Sequence, residues 1–400
     1  MSETVANIQT NDIWDGTPEG FSGSHFEAIA LFLKASPGNF EKAMEEAESE
    51  TGLKISCLIT DAFCWFASDM AENRGVPWVP FWTAASCSLS AHLYTDKIQN
   101  TLGSADPEED QTVTFIPGLS NVHITDLPPE IFIDKNPTPL ALTIYNMVTK
   151  LPKSTAIVLN SFEEIDPVIT KDLKSKFNHF LNVGPSILSS PIPATTNPND
   201  PHNCLKWLQT QNNPNSVIYI SFGTVISPPP NEIAELAQAL ESCKFPFLWS
   251  IKDHAQKALP QGFENRTKNW GKIVPWAPQL EILRQNCVGV FVTHCGWNSV
   301  VESICGGVPM ICRPFFGDQR INGRMVEDVW KIGVRVRDGV FGEDDTVKSL
   351  NCLMMSEKGE EMRETVGKMR EKAGEAVKLE GSSSKNFERL LEIISAPKGN

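Results

Sequence analysis

Val288-Gly289-Val290-Phe291-Val292-Thr293-His294-Cys295-Gly296-Trp297-Asn298-Ser299 is the stretch that decides the fold. Its first six residues form a near-continuous apolar run of strand length. A strand that is apolar on both faces belongs in a parallel sheet covered by helices. A glycine turn follows, and the spacing predicts a helix over about 298–305. Such a turn leaves free backbone N–H groups at the helix start, a site suited to a diphosphate. Ser299 with Glu302 also fits a capping box, and spacing alone leaves both readings open.

The same alternation extends outward. Strands are expected at Val217–Phe222, Phe247–Ile251 and Val308–Cys312, with helices at about 231–242, 278–285 and 318–331. Short apolar strands separated by helices read as βαβ units. Towards the N-terminus, Ile55–Ile59, Val76–Phe81 and Ala156–Asn160 are strand-like, a helix is expected at about 162–177, and residues 26–51 read as two helices. Five prolines between Val183 and Asn203 mark a linker. The expected organisation is an N-terminal domain over 1–184, the linker 185–203, a C-terminal domain over 204–382, and a tail, 383–400, that packs back on the first domain. Residues 1–24 hold no strong strand; Val5-Ala6-Asn7-Ile8 is the best candidate. The first α/β domain is therefore expected to lack its opening βα unit.

The composition narrows the function. Lys plus Arg number 35 and Asp plus Glu 49, a net charge of −14. This excludes a general nucleic-acid or anionic-membrane binder, because both need a basic field. No apolar run approaches the roughly 20 residues needed to span a bilayer, and the first residues lack the pattern of a signal peptide. The ten cysteines are scattered, with no CxxC pair. They read as reduced thiols of a cytoplasmic protein, and no metal site is expected. GxGxxG, P-loop, HExxH and strand-bound GxSxG motifs are absent, which disfavours an NAD(P)-dependent oxidoreductase among other classes.

Residues 276–319 carry more. Trp276-Ala277-Pro278-Gln279 opens the segment, His294–Ser299 lies in the middle, then Glu302, and Phe315-Phe316-Gly317-Asp318-Gln319 closes it. In types, spacing and length this resembles the donor-binding box of plant family 1 UDP-glycosyltransferases. Ser221–Thr224, Asp61-Ala62-Phe63 and Pro80–Ala84 extend the resemblance over nearly the whole chain, and it is nearest to flavonoid (anthocyanidin or flavonol) 3-O-glucosyltransferases. The resemblance implies a GT-B fold, two Rossmann-like domains facing a cleft. It implies UDP-glucose as co-substrate, a small aromatic polyphenol as acceptor, no cofactor, and a monomer.

Roles follow from the resemblance and have physical sense. Trp276 stacks on uracil; Ala277 and Gln279 read the base edge or ribose; Glu302 accepts from both ribose hydroxyls. His294, Asn298, Ser299 and Thr224 hold the diphosphate. Asp318, Gln319, the Trp297 backbone and Thr83 bind sugar hydroxyls, and Gln319 leans towards glucose. His92, Phe63, Phe81, Trp82 and Phe316 border the acceptor. The implied mechanism is inverting transfer: a histidine takes the acceptor proton, and an aspartate, matched here by Asp61, orients it. No residue matches that histidine, and His25 falls beside the acceptor pocket rather than opposite Asp61. The competing expectation is a non-catalytic nucleotide-sugar binder without the base.

Overall fold

Ten short strands, every pair of them parallel, form two sheets in the computed structural model, which describes residues 8–103, 111–132, 138–189 and 200–395. The N-terminal sheet contains β1 (Leu58–Asp61), β2 (Trp78–Trp82), β3 (Ile157–Leu159) and β4 (Phe180–Asn182), in that order. Among the described residues β1 lies at its edge, and Ile59 is 57% exposed there. The C-terminal sheet contains β5 (Val217–Ser221), β6 (Phe247–Ser250), β7 (Gly271–Val274), β8 (Val288–Thr293), β9 (Met310–Cys312) and β10 (Gly333–Arg335). Its order is β10-β9-β8-β5-β6-β7. All residues of β5 and β8 are buried, as their apolar runs require.

This order places the ligand cleft. The chain builds outward from β5 in one direction and from β8 in the other, so the sheet switches direction between them. Loops leaving adjacent strands at such a point diverge and open a crevice at the carboxyl ends. Ser221 of β5 and Thr293 of β8 are register partners. The loops that follow, Phe222-Gly223-Thr224 and His294-Cys295-Gly296, are therefore neighbours in space.

The two halves share a packed interface. One apolar cluster runs from Trp78 and Leu159 through Trp297 and Trp330 to Met310. Across it, the Asp126 carboxylate pairs with Arg324 at 2.5 Å and with Arg335 at 2.7 Å. The helix Ser382–Ser395 packs on β4, with Leu390 and Ile393 against Val79, Val158 and Leu181. No helix among the described residues is long and apolar enough to cross a membrane. The ten thiols are unpaired.

Some local expectations are corrected. Residues His25–Thr51 form one helix containing Pro37, not two. Proline removes one backbone donor, while the Ser24–Glu27 capping box and left-handed Gly52 define ends well outside it. Strands β4, β7 and β10, of three or four residues, were not among the expected strands. The segment 318–331 is α-helical over Gln319–Arg324 and then opens into a wider π turn over Met325–Val329. The candidate strand Val5–Ile8 falls, except for Ile8, outside the described residues, as do 190–199 of the proline-rich segment and 396–400 of the tail.

Candidate active site

Two cavities meet at the switch point. The first, about 440 Å³, lies between the domains and is lined by Thr83, His92, His294, Asn298, Ser299 and Asp318, with Phe63, Trp82 and Phe316 as aromatic walls. The second, about 200 Å³, is lined by Gly223, Thr224, Lys252, Trp276, Ala277 and Gln279. The His294 ring joins them. It lines the first cavity and sits so close to Gly223 of the second that a Cβ there would lie 2.9 Å from Cε1. A Cβ at Gly296 would lie 2.5 Å from its Nε2. Glycine on both sides lets the imidazole and the two loops converge.

The turn is held in a specific shape. Cys295 has φ of 63°, an uncommon conformation for a residue with a side chain. Its N–H donates to Thr293 Oγ1 and its carbonyl accepts from Asn322 Nδ2 at 2.9 Å. Burial pushes the His294 pKa down to about 4, so the ring is neutral at pH 7. Its Nδ1 is buried and finds no partner among the described residues.

The helix beyond starts at Trp297, with Gly296 as its N-cap and no side-chain cap. This overturns the capping-box reading, which needs Ser299 at the N-cap. Instead Ser299 Oγ accepts from Gln279 Nε2 at 2.9 Å, and Glu302 Oε2 lies 2.6 Å from the same nitrogen. Desolvation raises the Glu302 pKa, and the bond from Gln279 opposes that shift. The first N–H groups of the helix have no intrahelical partner and open on the first cavity. The Trp297 ring is buried, and its Nε1 donates to the Asn160 carbonyl at 3.0 Å, across the domain interface.

The remaining donor-side residues differ in availability. Trp276 is 45% exposed, so its ring is not a core tryptophan. Asp318 stands at the N-cap of the next helix but makes no capping bond; Asn322 Nδ2 donates to its Oδ2 at 2.9 Å. Desolvation raises its pKa. Gln319 is buried, lines neither cavity, and spends Oε1 on the N–H groups of Phe315 and Phe316 at 2.8 and 3.2 Å.

On the acceptor side His92 is buried beside Trp82, ring centroids 6.0 Å apart. Burial lowers its pKa to about 4, so it offers a neutral imidazole. Phe81 is a correction. Side chains alternate along a strand, so Trp82 faces the cavity while Phe81 packs with Val79 and Leu181 on the opposite side. Asp61 ends β1, and its Oδ1 accepts from Phe63 N at 2.8 Å, with no other bond to it among the described residues. Desolvation raises its pKa, and that bond opposes the shift. The His25 side chain lies outside the described residues.

Two residues escaped the sequence reading. Lys252 lies just past β6 and donates to the Thr224 carbonyl in the second cavity. The signal was available: a cation beyond the carboxyl end of a buried parallel strand. Glu130 lines the first cavity from a turn that nothing in the local pattern marks.

Comparison with known proteins agrees with this geometry. Residues 24–366 match the family of UDP-glucoronosyl and UDP-glucosyl transferases. The chain is 56% identical to an anthocyanidin 3-O-glucosyltransferase of Gentiana triflora, over 98% of this chain and 86% of that protein. It is 50% identical to a flavonol 3-O-glucosyltransferase of Actinidia chinensis var. chinensis, again over 98% and 86%. The crystal structure of a UDP-glucose:anthocyanidin 3-O-glucosyltransferase in complex with UDP superposes with a TM-score of 0.92 at 40% identity, covering 98% of this chain and 87% of that one. The two-domain GT-B arrangement expected from the sequence is the arrangement found. This chain belongs to the UDP-glucoronosyl and UDP-glucosyl transferase family.

Proposed function

We propose that this protein transfers glucose from UDP-glucose to the 3-hydroxyl of a flavonoid, an anthocyanidin or a flavonol. The single observation that carries the reading is the adjacency, across the His294 ring, of a cavity headed by Trp276 and an aromatic-walled cavity between the domains. The named activities of the relatives support the same substrates.

The residues divide the work. The exposed Trp276 ring offers a face for uracil. The Glu302–Gln279 pair offers a carboxylate and an amide to the ribose. The N-terminus of the helix Trp297–Gly306, with neutral His294, Thr224 and Lys252, meets the diphosphate. As the acceptor oxygen bonds to the anomeric carbon, its proton leaves to solvent water, since no residue of this sequence matches the family's histidine, while the bond to UDP breaks and negative charge builds on the diphosphate. Fixed donors aimed at that charge stabilise the transition state without reorganising. Asp318 and Thr83 stand where the sugar lies, between donor and acceptor. His92, neutral and weakly basic, orients the acceptor rather than accepting its proton. Asp61 is the orienting carboxylate that the family resemblance implies for the proton-accepting histidine.

Incubation with UDP-glucose and a flavonol, followed by chromatography, tests the reading: a flavonol glucoside and UDP are the expected products. UDP binding without glucoside would establish the non-catalytic binder in its place. The fixed donors stabilise the leaving-group charge, so the reading needs no metal, and chelation by EDTA is expected to leave the rate unchanged. The reading also takes the protein as a cytoplasmic monomer, which light scattering and localisation of a tagged chain would check.

A further inference from the structure

The cavity between the domains does not end at its aromatic walls. A further cavity, also about 440 Å³, lies behind it, and the two share Ile29, Glu130 and Leu140. The rear cavity is otherwise walled by Ala30 and Leu33 of the helix His25–Thr51, with Thr138 and Thr143 opposite. Glu130 therefore stands at the junction of two largely apolar spaces. It sits in the short turn Pro129–Ile131, which buried Ile131 anchors.

Its Oε2 is buried and accepts no hydrogen bond among the described residues. The other carboxylate of the rear cavity is committed: Glu27 accepts from Ser24 N at 2.7 Å and Ser24 Oγ at 3.0 Å. A buried carboxylate oxygen without a donor is costly. Its other oxygen, Oε1, likewise accepts no hydrogen bond among the described residues and is not closed off, so a donor on whatever fills the cavity would bond there. A phenol fits both features, since its ring suits the apolar walls and its O–H is a strong donor to a carboxylate.

We propose that Glu130 is a specificity-determining residue, which accepts a hydrogen bond from a phenolic hydroxyl of the acceptor remote from the hydroxyl that receives the sugar. The inference takes its substrate class from the flavonoid reading above. It adds that the protein selects acceptors by a hydroxyl at their far end. The rear cavity then admits substituents next to that hydroxyl.

The test is calorimetric binding of kaempferol and its 4′-, 5- and 7-deoxy analogues, in the presence of UDP, to the wild type and to Glu130→Ala and Glu130→Gln. One analogue is expected to bind the wild type about 10- to 100-fold more weakly than kaempferol, the range for losing a hydrogen bond to a charged group. Glu130→Ala is expected to bind kaempferol as weakly as that analogue and to lose the preference between them. Glu130→Gln, which preserves the shape, is expected to retain part of it and supplies the readout should Glu130→Ala fail to fold. Equal binding of all four flavonols by the wild type, no flavonol binding at all, or a preference that survives both substitutions overturns the proposal. Because binding needs no turnover, failure to form a glucoside would sink the transferase reading and leave this one standing.

Discussion

Gln279 Nε2 lies 2.6 Å from Glu302 Oε2 and 2.9 Å from Ser299 Oγ, joining the start of one helix to the face of another. Tyr219 OH lies 3.3 Å from Gln279 Oε1, which fixes the amide from the sheet side. The pair thus presents a held carboxylate beside the exposed ring of Trp276. Glu302→Ala is expected to weaken UDP binding about 10- to 100-fold, the scale of hydrogen bonds to a charged group. Calorimetry with UDP checks it, and Glu302→Gln is expected to fall between.

Lys252 brings a positive charge into a protein of net charge −14. It is therefore expected to contribute to the local attraction of the diphosphate. Lys252→Ala is expected to raise the Kd for UDP and to flatten its dependence on ionic strength, since screening acts on the charge removed. Lys252→Arg is expected to keep the salt dependence. An unchanged salt slope in Lys252→Ala would place this lysine outside the diphosphate site.

Gly223 has φ of 75° and faces the His294 ring. Gly223→Ala is expected to cost about 1 kcal/mol or more from the backbone alone. The added Cβ also displaces the imidazole that joins the two cavities. A lower melting temperature together with a fall in kcat/KM is the expected result. Wild-type values for both would show that the ring has room to yield.

Asp166 is buried at the domain interface, where its carboxylate accepts from Ser86 Oγ at 2.9 Å and Trp330 Nε1 at 2.8 Å. Burial pushes its pKa from 3.8 to about 6, against the effect of those two bonds. The folded state therefore holds this proton more tightly than the unfolded chain. Stability linked to it is full below pH about 4 and is lost as pH rises to about 6, on the order of 2–3 kcal/mol. Asp166→Asn removes the titration. The stability of the variant relative to wild type is expected to rise between pH 4 and 6 and to level off above. Parallel denaturation curves across that range would refute the assignment.

Much of the architecture could be read from local pattern, because its cause is local. The run Val288–Thr293 is nearly continuous in apolar residues, as a strand buried on both faces requires. The segment from Trp276 to Gln319 could be read as a unit because it is the stretch that resembles a family box, and its residues lie in consecutive loops of one sheet. The same logic fails where the cause is long-range. Phe81 and Trp82 are adjacent and both aromatic, and only the pleat of β2 between two packed layers decides which one meets the cavity. Ser299 and Glu302 have capping-box spacing, yet the N-cap lies three residues earlier, at Gly296, and Gln279 draws both into a bond network between two helices.

Residue chemistry along the chain was enough to specify parallel α/β domains and a glycine turn with free donors at a helix start, since strand burial and helix-start donors depend on neighbours in sequence; the nucleotide-sugar box was legible only through the family resemblance. Three-dimensional packing alone chose the cleft at the β5–β8 switch, turned the Trp297 ring towards Asn160 and stranded the Glu130 oxygen between two cavities. Those outcomes depend on residues far apart in sequence meeting in space, 137 positions apart in the Trp297–Asn160 bond. No periodicity or short motif encodes a meeting of that kind.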